Sequence, residues 1–259
     1  MEKISRKSFV KGALGLGAVG ILAGCASSAS STAASASSTA APAEKKEFTF
    51  ADTVRWDAQY DVVVMGMGAA GMVAAKTAAD NGAKVVIVEK CEEGKAGGNT
   101  KVCGQLFAYA NGDKDAAKSY YTALAGGRDI EPEIIDAISE GVANMADILA
   151  DEFGFNKDEY MDWTGVNVGG TNMGAMSPEY PEMPGHEKMA LWTTHAGASD
   201  GYLYQGLKQN VPDRVDAIDV WYSSPAKSLI QDPVTKTVVG VTVERDGKEM
   251  NIRALNGVC

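Results

Sequence analysis

The sequence predicts an α/β fold, and three observations carry that prediction. An apolar run at 60–65, a glycine-rich turn at 66–71, an alanine-rich stretch at 72–81 and a second apolar run at 83–88 read as strand, turn, helix and strand. After Pro132, Ile134, Ile138, Val142, Met145 and Leu149 recur at helical spacing as far as about Phe153. From Val215 the period becomes that of strands, at 215–220, 226–231, 237–243 and 249–254, with Asp232-Pro233 and Asp246-Gly247 as turns. The expected architecture is a parallel βαβ unit with inserted helices and an antiparallel three-strand meander.

Composition limits the function classes. The chain has 259 residues, 45% of them apolar and 22% charged, which is globular composition. Its formal net charge of −10 excludes nucleic acid as the main partner, since neutralising phosphates needs clustered Lys and Arg. Length fits one large domain or two small ones.

Residues 1–25 read as an address. Lys3, Arg6, Lys7 and Lys11 precede a weakly apolar run too short to span a membrane, which ends in Leu22-Ala23-Gly24-Cys25. That ending resembles the lipobox of bacterial lipoprotein signals and implies lipid attachment at Cys25. Residues 5–11 resemble the twin-arginine export motif, with Lys7 in place of the second Arg. The alternative is a plain uncleaved N-terminal anchor. Residues 26–55 are a linker and lead-in. The Ala, Ser, Thr and Pro of 26–43 have nothing to bury and suit a solvated tether. The folded body is expected over 56–259.

The first strand, turn, helix and second strand carry the chemistry. Gly66, Gly68 and Gly71 form G-x-G-x-x-G around Met67, Ala69 and Ala70, between strand and helix, and Glu89 closes the second strand. This is the Rossmann-like dinucleotide-binding arrangement with its confirming context. Gly66 allows the tight turn, Gly68 lets backbone approach a pyrophosphate, and Gly71 lets helix pack on strand. The helix N-terminus offers free N–H groups to phosphate. Glu89 is placed to accept from an adenosine ribose and disfavours the 2′-phosphate of NADP. This unit alone leaves FAD and NAD open.

The next segment separates them. Glu89-Lys90 is followed by Gly97-Gly98-Asn99-Thr100. This pattern resembles the flavoprotein subunits of the fumarate reductase and succinate dehydrogenase family. The resemblance covers about 60–259, most sharply 60–105. It implies FAD, with Glu89 on the ribose and Asn99 and Thr100 near the pyrophosphate and flavin. The family often has a Gly-Gly pair a few residues on, where this chain has Gly104-Gln105. The resemblance also implies an adenine contact from the backbone near Ala226. No His lies in the loop that carries covalent flavin in membrane-complex members, so non-covalent FAD is expected. The exported branch of the family reduces C=C bonds conjugated to a carboxylate or carbonyl in small acids or enones. In it a positioned Arg supplies the proton, and other Arg and His groups hold the acid. An external electron donor is implied, such as a cytochrome or a quinol-linked protein. Family members are longer, with a second domain after the meander that carries those Arg residues. The sheet is therefore expected to be incomplete at its C-terminal end, with the first two strands left without a neighbour, and the chain alone to bind FAD weakly and turn over little. The competing readings are an inactive fragment and a non-catalytic nucleotide-binding lipoprotein.

The rest of the chain adds less. His195 either faces the flavin pocket, as a comparable family loop implies, or is a hydrogen-bonding His at the helix expected over 202–209. His186 reads as a loop residue, and neither has metal-ligand spacing. The long loop at 165–184 could line the substrate side. Cys91, Cys103 and Cys259 lack CxxC spacing, which leaves a Cys91–Cys103 bridge as a minor alternative to free thiols.

Overall fold

A computed structural model describes residues 48–164, 167–168, 171–172, 179–196, 200–211 and 216–259. The export signal, Cys25 and most of the 26–55 linker lie outside the described residues, as does half of the 165–184 loop. Among the described residues, no helix is long and apolar enough to cross a membrane.

Strand β1 (Ala58–Met65), helix α1 (Ala69–Asp80) and strand β2 (Val85–Val88) form the expected unit. β1 and β2 are parallel, with Val62 opposite Val85 and Met65 opposite Val88. All four residues of β2 are at most 2% exposed. Burying such side chains contributes about 1.5–3 kcal/mol each, so both faces of this strand must be covered. Val62, Val64, Val85 and Ile87 pack under α1 with Met72 and Ala75. Val63, Val86 and Val88 face the other way, against Val241, Val243, Ile252 and Ala254.

Between β2 and the meander come α2 (Gly98–Val102), β3 (Leu106–Tyr109), α3 (Lys114–Leu124) and α4 (Pro132–Phe153). There follow β4 (Met161–Asp162), the hairpin β5 (Asn167–Val168) and β6 (Thr171–Asn172), β7 (Ala190–Thr193) and α5 (Tyr202–Gln209). β3, β7 and β4 make a small antiparallel sheet in that order. α3 starts where Asp113 accepts from the Ala116 N–H at 2.9 Å. α4 has Pro132 in its first turn and ends at Gly154, whose φ is 75°.

The helical stripe on α4 differs from the expected one. Val142 and Leu149 are buried, but Ile134 and Ile138 are 46% and 41% exposed. The buried row runs through Ile135, Ser139, Val142, Ala146, Leu149 and Phe153. Small residues at 139, 143 and 146 let neighbouring elements approach closely, and Ser139 hides its hydroxyl by donating to Ile135 O at 2.7 Å.

The last strands are β8 (Ile218–Trp221), β9 (Ala226–Gln231), β10 (Val238–Arg245) and β11 (Lys248–Val258). The main sheet has the order β8-β2-β1-β11-β10-β9. β8 runs parallel to β2 and is no part of the meander, which is β9, β10 and β11.

This order corrects the expectation that β1 and β2 lack a neighbour. β11 is longer than the 249–254 segment read from the sequence. Its first half pairs antiparallel with β10, and its second half pairs parallel with β1, from Ala58 opposite Ile252 to Val63 opposite Val258. One strand therefore closes the hairpin and fills the place beside β1. Asp246-Gly247 marks only the hairpin, and the parallel pairing partner lies far away in sequence.

Candidate functional site

The carboxyl ends of β1 and β2 open on a cleft of about 390 Å³. Gly66, Gly68, Glu89, Lys90, Gly98 and Ala226 line it, together with Met65, Met67, Val88, Cys91 and Pro225. Six predicted residues, from four separate segments, thus share one concave wall.

The three glycines of the turn serve different purposes. Gly66 has φ +100°, a left-handed conformation that a side chain would strain. A Cβ on Gly71 would lie 2.1 Å from Gly66 O, so only glycine lets α1 sit on the turn. A Cβ on Gly68 would meet Thr100 Oγ1 at 3.6 Å and Gly97 O at 3.9 Å, ordinary contacts. The fold does not need Gly68; something that must come close to the backbone there does. Gly68 is the N-cap of α1 and provides no side-chain cap. The Ala69 N–H donates to Thr100 Oγ1 at 3.0 Å, which ties α2 to the start of α1.

Glu89 is only 5% exposed. Its Oε2 accepts from the Met67 N–H and its Oε1 from the Cys91 N–H, both at 2.8 Å. A carboxylate has about four lone-pair sites, so two remain for a diol after these bonds. The loop after β8 is laced to the same strand end. Glu89 N donates to Trp221 O at 2.9 Å, Ser223 N to Cys91 O at 2.9 Å and Ser224 N to Glu89 O at 2.8 Å. These bonds carry Pro225 and Ala226 to the cleft.

The remaining predicted residues lie elsewhere. Ala69, Ala70, Asn99 and Thr100 line a neighbouring apolar cavity of about 720 Å³ between α1 and α4. Gly104 precedes Gln105, which is fully buried with φ +61°. Gln105 Nε2 donates to Thr100 O at 2.9 Å and Cys103 O at 3.0 Å, and its Oε1 accepts from Leu203 N at 3.0 Å. The Gln105 amide therefore clamps α2 to α5. Cys91 and Cys103 are free thiols.

A second polar locus lies where the chain leaves β7. His195 Nε2 lies 2.7 Å from Asp200 Oδ2, and its ring stacks on Tyr202 with centroids 4.1 Å apart. The hydrogen-bonding reading of His195 is the one observed. Trp192 Nε1, Thr194 Oγ1 and His195 Nδ1 are buried there with no hydrogen-bond partner among the described residues. Such unpaired atoms were not legible in the sequence, because a Trp or Thr in a strand is ordinarily core. The Asp200 carboxyl is held below the usual carboxylate range, first by the Tyr202 N–H and then by His195.

Cleft, glycine turn and ribose-ready acid together define an adenine-dinucleotide-binding domain. Residues 61–259 match the FAD binding domain family, and the chain belongs to that family. FAD is accordingly the cofactor that the Glu89 cleft and the bare Gly68 backbone fit. The NADH:fumarate oxidoreductase of Klebsiella pneumoniae is 29% identical over 201 residues, 74% of this chain and 19% of that protein. The digoxin reductase of Eggerthella lenta is 41% identical over 105 residues, 39% of this chain and 18% of that protein. The 3-ketosteroid Δ1-dehydrogenase of Sterolibacterium denitrificans superposes with a TM-score of 0.61 at 19% identity, over 77% of this chain and 47% of that one. The chain spans less than half the length of each of these relatives.

Proposed function

We propose that this chain belongs to an FAD-dependent oxidoreductase that reduces a C=C bond conjugated to a carboxylate or carbonyl, and that it works outside the cytoplasmic membrane on a lipid attached at Cys25. The observation that supports the substrate reading is that three polar atoms along the end of β7 and the residues after it are buried without a partner among the described residues. Trp192 Nε1 can only donate, the Thr194 hydroxyl can donate, and the His195 ring is held from the far side by Asp200. Buried donors without partners are costly, at about 1–3 kcal/mol each, and an anionic or carbonyl oxygen satisfies them. The similarity to a fumarate oxidoreductase points to an acid, and the similarity to a digoxin reductase points to an enone. FAD, when bound, supplies the hydride-transfer chemistry. The protein's part is to hold the cofactor by Glu89 and the glycine turn and the substrate oxygen by the β7 exit. Electrons come from an external donor such as a cytochrome or a quinol-linked protein.

The test is binding first and turnover second. The full chain, saturated with FAD, is titrated with fumarate, urocanate, a cinnamate and a steroid enone while the flavin absorbance is followed. At least one ligand should perturb the spectrum, and His195→Ala should abolish the perturbation without loss of flavin. Silence from the whole panel overturns the substrate reading. Turnover of the same panel is then measured with reduced viologen as donor. For location, Cys25→Ser should release the protein from membranes or leave the signal uncleaved; unchanged fractionation and mass refute the anchor.

A further inference from the structure

Gln105 stands where the backbone favours glycine. Its φ of +61° is left-handed, a conformation that few side chains adopt, and the residue is fully buried. Glycine would fit this turn without strain, so the amide accounts for the residue. Gln105 lines neither the Glu89 cleft nor the apolar cavity beside it, so any effect on a ligand passes through its hydrogen-bond partners.

Those partners belong to two elements. Gln105 Nε2 donates to Thr100 O at 2.9 Å and to Cys103 O at 3.0 Å, which fixes α2. α2 is the element that borders the cofactor: Gly98 lines the cleft, and Thr100 Oγ1 accepts from Ala69 N at 3.0 Å at the start of α1. At the other end of the amide, Oε1 accepts from Leu203 N at 3.0 Å and Tyr204 N at 3.4 Å. These are the second and third residues of α5, whose N–H groups an N-cap side chain ordinarily engages. The N-cap of α5 is Gly201, which has no side chain to offer. Gln105 therefore caps α5 from 98 residues away in sequence.

The first turn of α5 in turn holds the β7 exit. Tyr202 N donates to Asp200 Oδ1 at 3.0 Å, and the Tyr202 ring stacks on His195. Asp200 Oδ2 lies 2.7 Å from His195 Nε2. A contiguous run of bonds thus leads from Ala69 and Thr100 through Gln105 and α5 to His195.

We infer that Gln105 is a positioning residue that couples the two sites. FAD bound against Gly68 and Gly98 steadies α2, and Gln105 passes that restraint to the first turn of α5, which sets His195 for the substrate oxygen. The inference rests on FAD occupying the Glu89 cleft. Amide hydrogen exchange of the full chain, read at Leu203 and Tyr204 with and without FAD, tests it. In the wild-type chain FAD should slow exchange at both about fivefold or more, the size of one buried hydrogen bond. FAD should also shift the ring resonances of His195, with His186, which has no bond in this run, as the internal reference. Gln105→Met keeps the volume and removes both ends of the amide, and Gln105→Gly removes them while relaxing the backbone. Both should bind FAD about fivefold more weakly and lose the FAD-dependent slowing. A side chain with only a structural role would change exchange equally with and without FAD. That result, or FAD-dependent slowing that persists in Gln105→Gly, overturns the inference. FAD uptake by the wild-type chain with no change at Leu203 and Tyr204 also overturns it and leaves the cleft standing. A wild-type chain that takes up no FAD overturns the cleft reading and the coupling together.

Discussion

The cofactor cleft and the exit of β7 are both polar and partly buried, and both are anchored to the start of α5, yet they are finished to different degrees. In the cleft and just behind its wall, Glu89, Thr100 and Gln105 are already engaged. Glu89 accepts from two backbone N–H groups, Thr100 from Ala69, and Gln105 bonds at both ends of its amide. At the β7 exit three buried polar atoms have no partner among the described residues. The first region is preorganised by its own chain and costs little to rearrange on binding. The second leaves Trp192 Nε1, Thr194 Oγ1 and His195 Nδ1 buried and unpaired among the described residues.

The largest effect is expected at Gly71. Gly71→Ala sets a methyl group against Gly66 O and should destabilise the whole domain by about 3 kcal/mol or more, read as a lower thermal midpoint with or without FAD. An unchanged midpoint would mean that the turn is far softer than its geometry indicates. Glu89→Ala comes next. It leaves the Met67 and Cys91 N–H groups without acceptors and removes the ribose partner, so flavin content should fall by about 100-fold in affinity, given about 1.5–3 kcal/mol for bonds to a charged group. Retention of full flavin after purification would remove Glu89 from the site.

Gly68→Ala sharpens the contrast. Its methyl group makes only ordinary contacts in the protein, so the midpoint of the FAD-free chain should hold while FAD affinity drops. Equal loss of fold and flavin would place Gly68 with Gly71 as a packing glycine. The smallest effect belongs to the β7 exit. The Asp200 carboxyl is depressed by the Tyr202 N–H and by His195. A depressed carboxyl stabilises the fold above the usual carboxylate range, and that stabilisation is lost as pH falls through the folded value. Asp200→Asn should therefore lower the midpoint slightly near neutral pH and not in strong acid, with FAD content untouched. A pH-independent loss, or loss of flavin, would tie Asp200 to the cofactor instead.

The cleft was largely legible in the sequence because its determinants are local. The turn at Gly66, Gly68 and Gly71 and the acid at Glu89 belong to one contiguous unit, and chain geometry leaves them little choice. Ala226 was legible only through the family resemblance, since its backbone reaches the cleft by the bonds of Ser223 and Ser224 to the end of β2. Three features were hidden for physical reasons. Spacing alone favours Ile134 and Ile138 as core, whereas close packing selects the row with Ser139 and Ala146. Gln105 occupies a left-handed position that favours glycine, so its role as a clamp follows from contacts with α5, remote in sequence. The unpaired atoms of Trp192, Thr194, His195 and Tyr204 can be recognised only once their surroundings are known.

The double duty of β11 also sets an order in time. Asn251 N donates to Asp57 Oδ2 across 194 residues, and Ile252 to Val258 lie beside β1. A ribosome completes the glycine turn and Glu89 long before it makes that strand. Until then β1 has β2 alone beside it, and Met65, which walls the cleft, lacks the carbonyl of Cys259 that accepts from its N–H at 2.8 Å. Pairings between such distant segments form slowly. The residues that recognise the cofactor are thus synthesised well before the strand that steadies them, and the wall of the cleft at Met65 is complete only once that distant pairing has formed.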